Sequence, residues 1–332
     1  MASNASIRCT PLTIFAFCCW ALVGTIGCAT HKATSRVVFD GSPQGRKPSS
    51  ATNNSPLTTR PNLSLKEIER TEITAGHTVE MKSLVFADRR RINIYVPPSY
   101  DEQGKHESQS YPVIYLIDGG VDQDFLAVSG MVRNLSMWKH IPESIVVGIE
   151  TRDRYHELSS STRIKADLKR VPHPGGATKM RRFIVEEVMP LIDSKYRTND
   201  RRVLMGESMA GLFVIETMLE LGDRFSAYLA VSPSLWWNDQ ALVRNVSPRL
   251  FELHDAKFLL YFSLADEGGT MWQGVNRLAQ SLHETNYPAK RWYYQPRSHE
   301  SHATTYLPAA ADGLRWIGRI WQDEPEKVAQ VN

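Results

Sequence analysis

Along the chain, apolar residues fall into two alternating rhythms. Short runs rich in Val, Ile, Leu and Tyr recur at 91–96, 113–118, 145–150, 203–206, 228–232, 257–264 and 291–295. From Val113 onward these runs are nearly continuous rather than alternating, as strands covered on both faces require. Between them apolar residues return every three or four positions, which predicts helices over 178–195, 209–221, 271–286 and 304–321. The last carries Leu307, Ala311, Leu314, Ile317 and Trp321 on one stripe. Strand and helix alternating in this way predict an α/β class protein, with one mostly parallel, doubly wound sheet over 63–325. Sites in such sheets form beyond the carboxyl ends of the strands.

The first 62 residues follow neither rhythm. Residues 11–27 form a nearly uncharged apolar run bounded by Arg8 on one side and His31, Lys32 and Arg36 on the other. Its length is at the lower edge of what spans a bilayer and suits the core of an export signal. Thr25-Ile-Gly-Cys28 resembles a bacterial lipobox, in which Cys28 is lipidated, although Thr25 stands where Leu is usual. Ala29 after that cysteine resembles the outer-membrane sorting class. A plain cleaved signal and an uncleaved anchor are the alternatives. Residues 29–62 are rich in Ser, Thr, Pro, Asn and Gly and read as a flexible tether, and 326–332 as a short tail. The expectation is an exported protein, periplasmic or held at the bacterial outer membrane through a lipid.

All four cysteines, Cys9, Cys18, Cys19 and Cys28, lie in that leader, so the remainder can form neither a disulfide nor a thiolate metal site. With 39 basic and 36 acidic side chains the net charge of +3 indicates no nucleic-acid partner, and no basic stripe is present.

The segment Arg202-Val-Leu-Met-Gly-Glu-Ser-Met-Ala-Gly-Leu-Phe runs from strand through a sharp turn into helix. A serine on such a turn is exposed at the sheet's rim, provided small residues flank it two positions either side. Gly206 and Ala210 fill those positions around Ser208. The other reading is a helix N-cap serine. A serine hydroxyl needs a base, and Pro296-Arg-Ser-His-Glu-Ser-His, after the last strand, offers His299 and His302. An orienting acid is expected after the preceding strand, where Asp266 and Glu267 stand before Gly268-Gly269. The order serine, acid, histidine is that of α/β-hydrolases. An oxyanion hole needs two N–H groups, assigned to Met209 and to Gly120 in Leu116-Ile-Asp-Gly-Gly. This chemistry needs no metal or organic cofactor.

Several blocks in order resemble the esterase D-like family of α/β-hydrolases, particularly its branch related to enterochelin esterase. They are Ile92-Asn-Ile-Tyr-Val-Pro-Pro-Ser-Tyr, Tyr111-Pro-Val-Ile-Tyr-Leu-Ile-Asp-Gly, Val146-Val-Gly-Ile-Glu with Asp153-Arg154, the elbow itself, Ser232-Pro-Ser-Leu-Trp-Trp and Glu300-Ser-His302. The last block resembles the family's E-x-H, which implies His302 rather than His299 as the base. Position favours Glu267 over Asp266 as the acid. The elbow departs from the family pattern at Glu207, where His is common, and at Ala210, where Gly is. The resemblance implies hydrolysis of a small-molecule carboxylic ester, with siderophore-type trilactones as candidates and Arg154 and Trp236, with Arg152 and Trp237 beside them, as substrate-binding candidates. A carbohydrate acyl or feruloyl esterase, and a non-catalytic binding lipoprotein on the same scaffold, are the alternative readings.

Overall fold

In the computed structural model, which describes residues 71–100 and 108–324, eight strands form one sheet. They are β1 (His77–Lys82), β2 (Arg89–Tyr95), β3 (Tyr111–Ile117), β4 (Ile145–Ile149), β5 (Thr198–Glu207), β6 (Ala227–Val231), β7 (Leu259–Ala265) and β8 (Trp292–Arg297), in the spatial order β1-β2-β4-β3-β5-β6-β7-β8. β2 is antiparallel to both β1 and β4, and every pairing from β4 to β8 is parallel. Each predicted run is a strand. β1 was not foreseen, because it is an edge strand in which only Val79 and Met81 are even partly buried. The described residues fall in a unit spanning Glu69–Asn332. The signal, Cys28 and the tether lie outside the described residues, as does the 326–332 tail. Among the described residues no helix is long and apolar enough to cross a membrane.

The helices are α1 (Phe125–Met137), α2 (Arg154–Leu158), α3 (Lys165–Arg170), α4 (Ala177–Arg182), α5 (Met189–Lys195), α6 (Met209–Leu221), α7 (Trp237–Arg244), α8 (Ser247–Glu252), α9 (Gly269–Glu284) and α10 (Tyr306–Asp323). A π-helical stretch, Phe183–Val188, joins α4 to α5, so the helix predicted over 178–195 is present with one widened segment. The missed α1 does carry a helical stripe of Phe125, Val128, Val132 and Leu135, but Ser129 and Gly130 dilute it.

Strand side chains alternate between two cores. In β5, Leu204 packs with α4, α5 and α6, whereas Val203 and Met205 pack with α1 and α10. Both faces are therefore dry, and all five residues of β4 and of β6 are buried. Burying each Val, Ile or Leu side chain among them contributes about 1.5–3 kcal/mol, which is why this sheet needs no disulfide.

The connection from β4 to α4 holds α2 and α3 over the carboxyl end of the sheet. Its anchor is a buried ion pair, Arg90 Nη1 to Glu157 Oε1 at 2.6 Å. Asp167 Oδ2 accepts the Asn238 N–H at 2.9 Å, and Trp237 Nε1–H donates to Ser160 O at 3.0 Å. These bonds tie the segment to the Ser232-Pro-Ser-Leu-Trp-Trp block and fix one wall of the cleft described next.

Candidate active site

β5 ends at Glu207 and α6 begins at Met209, so one residue makes the whole turn. That residue, Ser208, has φ 59° and ψ −116°. A side chain in this left-handed region costs roughly 1–3 kcal/mol, and the backbone around it is held accordingly. Ser208 N–H donates to Val231 O at 2.9 Å, while Ser208 O accepts from Leu212 N–H at 2.9 Å and Ser234 N–H at 3.0 Å. The turn is tight enough that a Cβ on Gly206 would lie 2.6 Å from the Ala210 Cβ. Glycine at −2 is thus required by the methyl group at +2. Met209 N–H is the first of α6 and has no acceptor within the helix.

Ser208 and His302 line one cleft of 430 Å³, together with Met209, Ser234, Trp236 and Glu267. His302 Nδ1 lies 2.9 Å from Glu267 Oε2. A carboxylate accepts only, so Nδ1 carries the proton and Nε2 is left as the basic nitrogen. The imidazole is 46% exposed and the Glu267 side chain 10%, which leaves the base accessible and shields the acid. The hydrogen bond to Glu267 raises His302 above the ordinary imidazole value of 6.5, outweighing partial burial. Burial by itself would raise Glu267, but the bond from His302 and the imidazolium charge hold its carboxyl below the usual range.

Ser208 Oγ lies 3.3 Å from Ser234 Oγ, and among the described residues no hydrogen bond joins Ser208 to His302. Ser234 was not singled out in the sequence. Its signal was present in the Ser-Pro-Ser block, but only the return of the chain after β6 shows that its hydroxyl meets the elbow.

The remaining expectations divide. Glu267 meets His302, whereas Asp266 and His299 are exposed. Trp236 lines the cleft and Trp237 is core, 2% exposed. Arg152 turns away, toward Asp88 at 3.2 Å. Arg154 binds Asp118 Oδ2 through Nε at 2.6 Å and Glu207 O through Nη2 at 3.2 Å, so its charge is committed beneath the elbow rather than to the cleft. The cation on the cleft wall is Arg170, whose guanidinium sits 5.0 Å over the Trp236 ring, with Tyr155 nearby on the same lining. Gly120 is a correction. Its N–H donates to Gln123 Oε1 at 2.8 Å, and it lines a separate cavity of 190 Å³ with Asn93, Gln123 and Thr151. The Gln123 side chain, three residues along, competes for the donor assigned to an oxyanion. A larger cavity, 700 Å³, lies at the amino ends of the strands among Gln109, Pro112, Asn199 and Trp321, with no histidine on its lining.

Ferri-bacillibactin esterase BesA of Bacillus subtilis (strain 168) is 32% identical over 151 residues, covering 41% of this chain and 52% of that protein. Siderophore enterobactin esterase of Emericella nidulans is 27% identical over 173 residues, covering 46% and 56%. The chain thus spans about half the length of these curated relatives. The crystal structure of an IroE-like serine hydrolase from Shewanella oneidensis superimposes with a TM-score of 0.64 at 25% identity, over 74% of this chain and 80% of that one. The model of the Esterase family matches residues 83–309, which takes in the elbow, Glu267 and His302, and the chain belongs to that family.

Proposed function

We propose that this protein is a serine esterase that hydrolyses siderophore-type trilactone esters through an acyl-enzyme. The observation that carries the reading is the shared cleft: a strained serine at a strand-to-helix turn faces the same space as an imidazole whose Nδ1 is held by a carboxylate. Ser208 Oγ attacks the ester carbonyl carbon, its proton passes to His302 Nε2, and the carbonyl electrons move onto oxygen. Met209 N–H stabilises that oxyanion. Collapse breaks the bond to the alcohol, which leaves with the proton from His302. Water then repeats the sequence and frees the acid. Ser208 must turn its hydroxyl from Ser234 toward His302, a rotation between staggered wells about one bond.

The substrate class is supported by the wall chemistry and the relatives. Arg170 over Trp236 places a cation and an aromatic face where an anionic aromatic acyl group would lie. BesA and the Emericella enzyme carry the names of siderophore substrates. The test is a panel of a catecholate trilactone, a feruloyl sugar and an acetylated sugar, with fluorophosphonate labelling of the serine. Preferential cleavage of the trilactone with labelling is expected. Preference for either sugar ester would reassign the substrate, and absence of both cleavage and labelling would make the protein a binder.

Glu267→Gln is expected to lower kcat by about 10²- to 10⁴-fold, because the amide no longer fixes the tautomer. The base works when neutral, so kcat/KM rises as pH passes upward through the raised His302 value. Glu267 is the main cause of that rise. Its loss therefore moves the acidic limb of the profile to lower pH. An unmoved limb would transfer the acid's role elsewhere, with Asp266 the next residue to test.

A further inference from the structure

Glu207, the residue before Ser208, has no part in the chemistry above. Val203 and Met205 point to the α1 and α10 face, and alternation sends Glu207 the same way. It therefore stands below the first turns of those two helices, where Asp124 leads into α1 and the His302 loop leads into α10. One of its carboxyl oxygens, Oε1, is sealed from solvent with no hydrogen-bond partner, and the Tyr306 hydroxyl is in the same condition. Leaving a buried carboxyl oxygen unpaired is unfavourable, and an apolar side chain of similar size would fill the volume without that penalty.

The groups facing Glu207 come from every element around it. They are His302 from the loop before α10, Asp124 at the start of α1, Arg154 of α2 and Glu267 after β7, and Glu207 in turn acts on Tyr306 of α10. Arg154 is bound to Asp118. The others are acids, except His302, which alone gains a positive charge during the reaction.

We propose that Glu207 is a positioning residue for the base, a second carboxylate that, with Glu267, stabilises the imidazolium His302 becomes on taking the Ser208 proton. This rests on the assignment of Ser208 and His302 above. The Glu207 carboxyl is pushed up to about 7, chiefly by burial, with Asp124 and Glu267 adding to the rise and His302 and Arg154 opposing it. Glu207 in turn adds to the rise of His302, after the larger contribution of Glu267. The two groups are therefore coupled, so that the proton held by one depends on the charge of the other. Ionisation of the carboxyl makes the imidazole more basic, and protonation of the imidazole keeps the carboxyl ionised.

The test follows the His302 ring directly, by NMR titration of histidine-labelled full-length protein, with His302→Asn supplying the assignment. In Glu207→Gln the His302 midpoint should fall by about one pH unit, a tenfold loss of proton affinity. The acidic limb of kcat/KM for a p-nitrophenyl ester should fall with it, kcat should drop by roughly tenfold and KM should hold. Glu207→Asp, which keeps the charge, should recover much of the shift. An unmoved His302 midpoint in folded Glu207→Gln would overturn the proposal. Should that variant fail to fold, a simple one-proton His302 curve in the unmodified protein would overturn it equally. The NMR readout needs no turnover, so a failure of Ser208 as nucleophile would show separately, as Ser208→Ala retaining activity.

Discussion

Ser208→Ala is expected to lower kcat on a p-nitrophenyl ester by about 10⁴- to 10⁶-fold while the protein stays folded. Alanine keeps the β-carbon, so the strain at φ 59° is unchanged and the three backbone hydrogen bonds around the turn remain. What disappears is the hydroxyl and its 3.3 Å contact with Ser234. Stability should change by less than about 1 kcal/mol, because an isolated neutral contact of that length contributes little. His302→Ala should cost a comparable factor, and combining the two should cost little more, since nucleophile and base act as one unit. Kinetics on the three variants, with thermal melts beside them, measure this. A Ser208→Ala protein within tenfold of the parent would end the esterase assignment to this cleft.

Gly206→Ala should disable the same site through packing alone. The new Cβ would sit 2.6 Å from Ala210 Cβ, 2.9 Å from Ala210 C and 3.1 Å from Ala210 O. β5 cannot retreat, because Gly206 pairs with Ala230 of β6 inside the sheet. The first turn of α6 must move instead, and Ser208 moves with it. Overpacking of this kind costs about 1–3 kcal/mol of stability, and displacing a nucleophile by an ångström costs about 100-fold in rate. Restoring space with Ala210→Gly in the same protein removes the 2.6 Å contact and should recover part of both losses. If the double variant is as impaired as Gly206→Ala, crowding at the elbow is not the cause.

The residues that were legible in advance share a property: their signal is local. Ser208 was readable because an apolar strand, two small residues and an apolar helix adjoin it in sequence. His302 and Glu267 were narrowed to pairs because each lies directly after a strand that the pattern reveals. Tertiary contact then separated Glu267 from Asp266, by the 2.9 Å bond to His302. Residues whose roles depend on distant partners were left open or passed over. Arg154 is drawn to Asp118, 36 positions away, and Ser234 reaches Ser208 across 26. Gly120 differs, since Gln123 is a near neighbour; no periodicity shows that a side-chain amide will take its N–H.

From sequence alone came the α/β class, the parallel core strands and the turn that presents Ser208, because hydrophobic period and turn geometry are properties of short segments. Only the folded structure decided which cation reaches the cleft, that the acid bonds the imidazole at 2.9 Å, and that Glu207 stands half-buried with one carboxyl oxygen sealed from solvent. Those outcomes depend on the distances between segments far apart in the chain, and charge and hydrogen-bond energies fall off within a few ångströms.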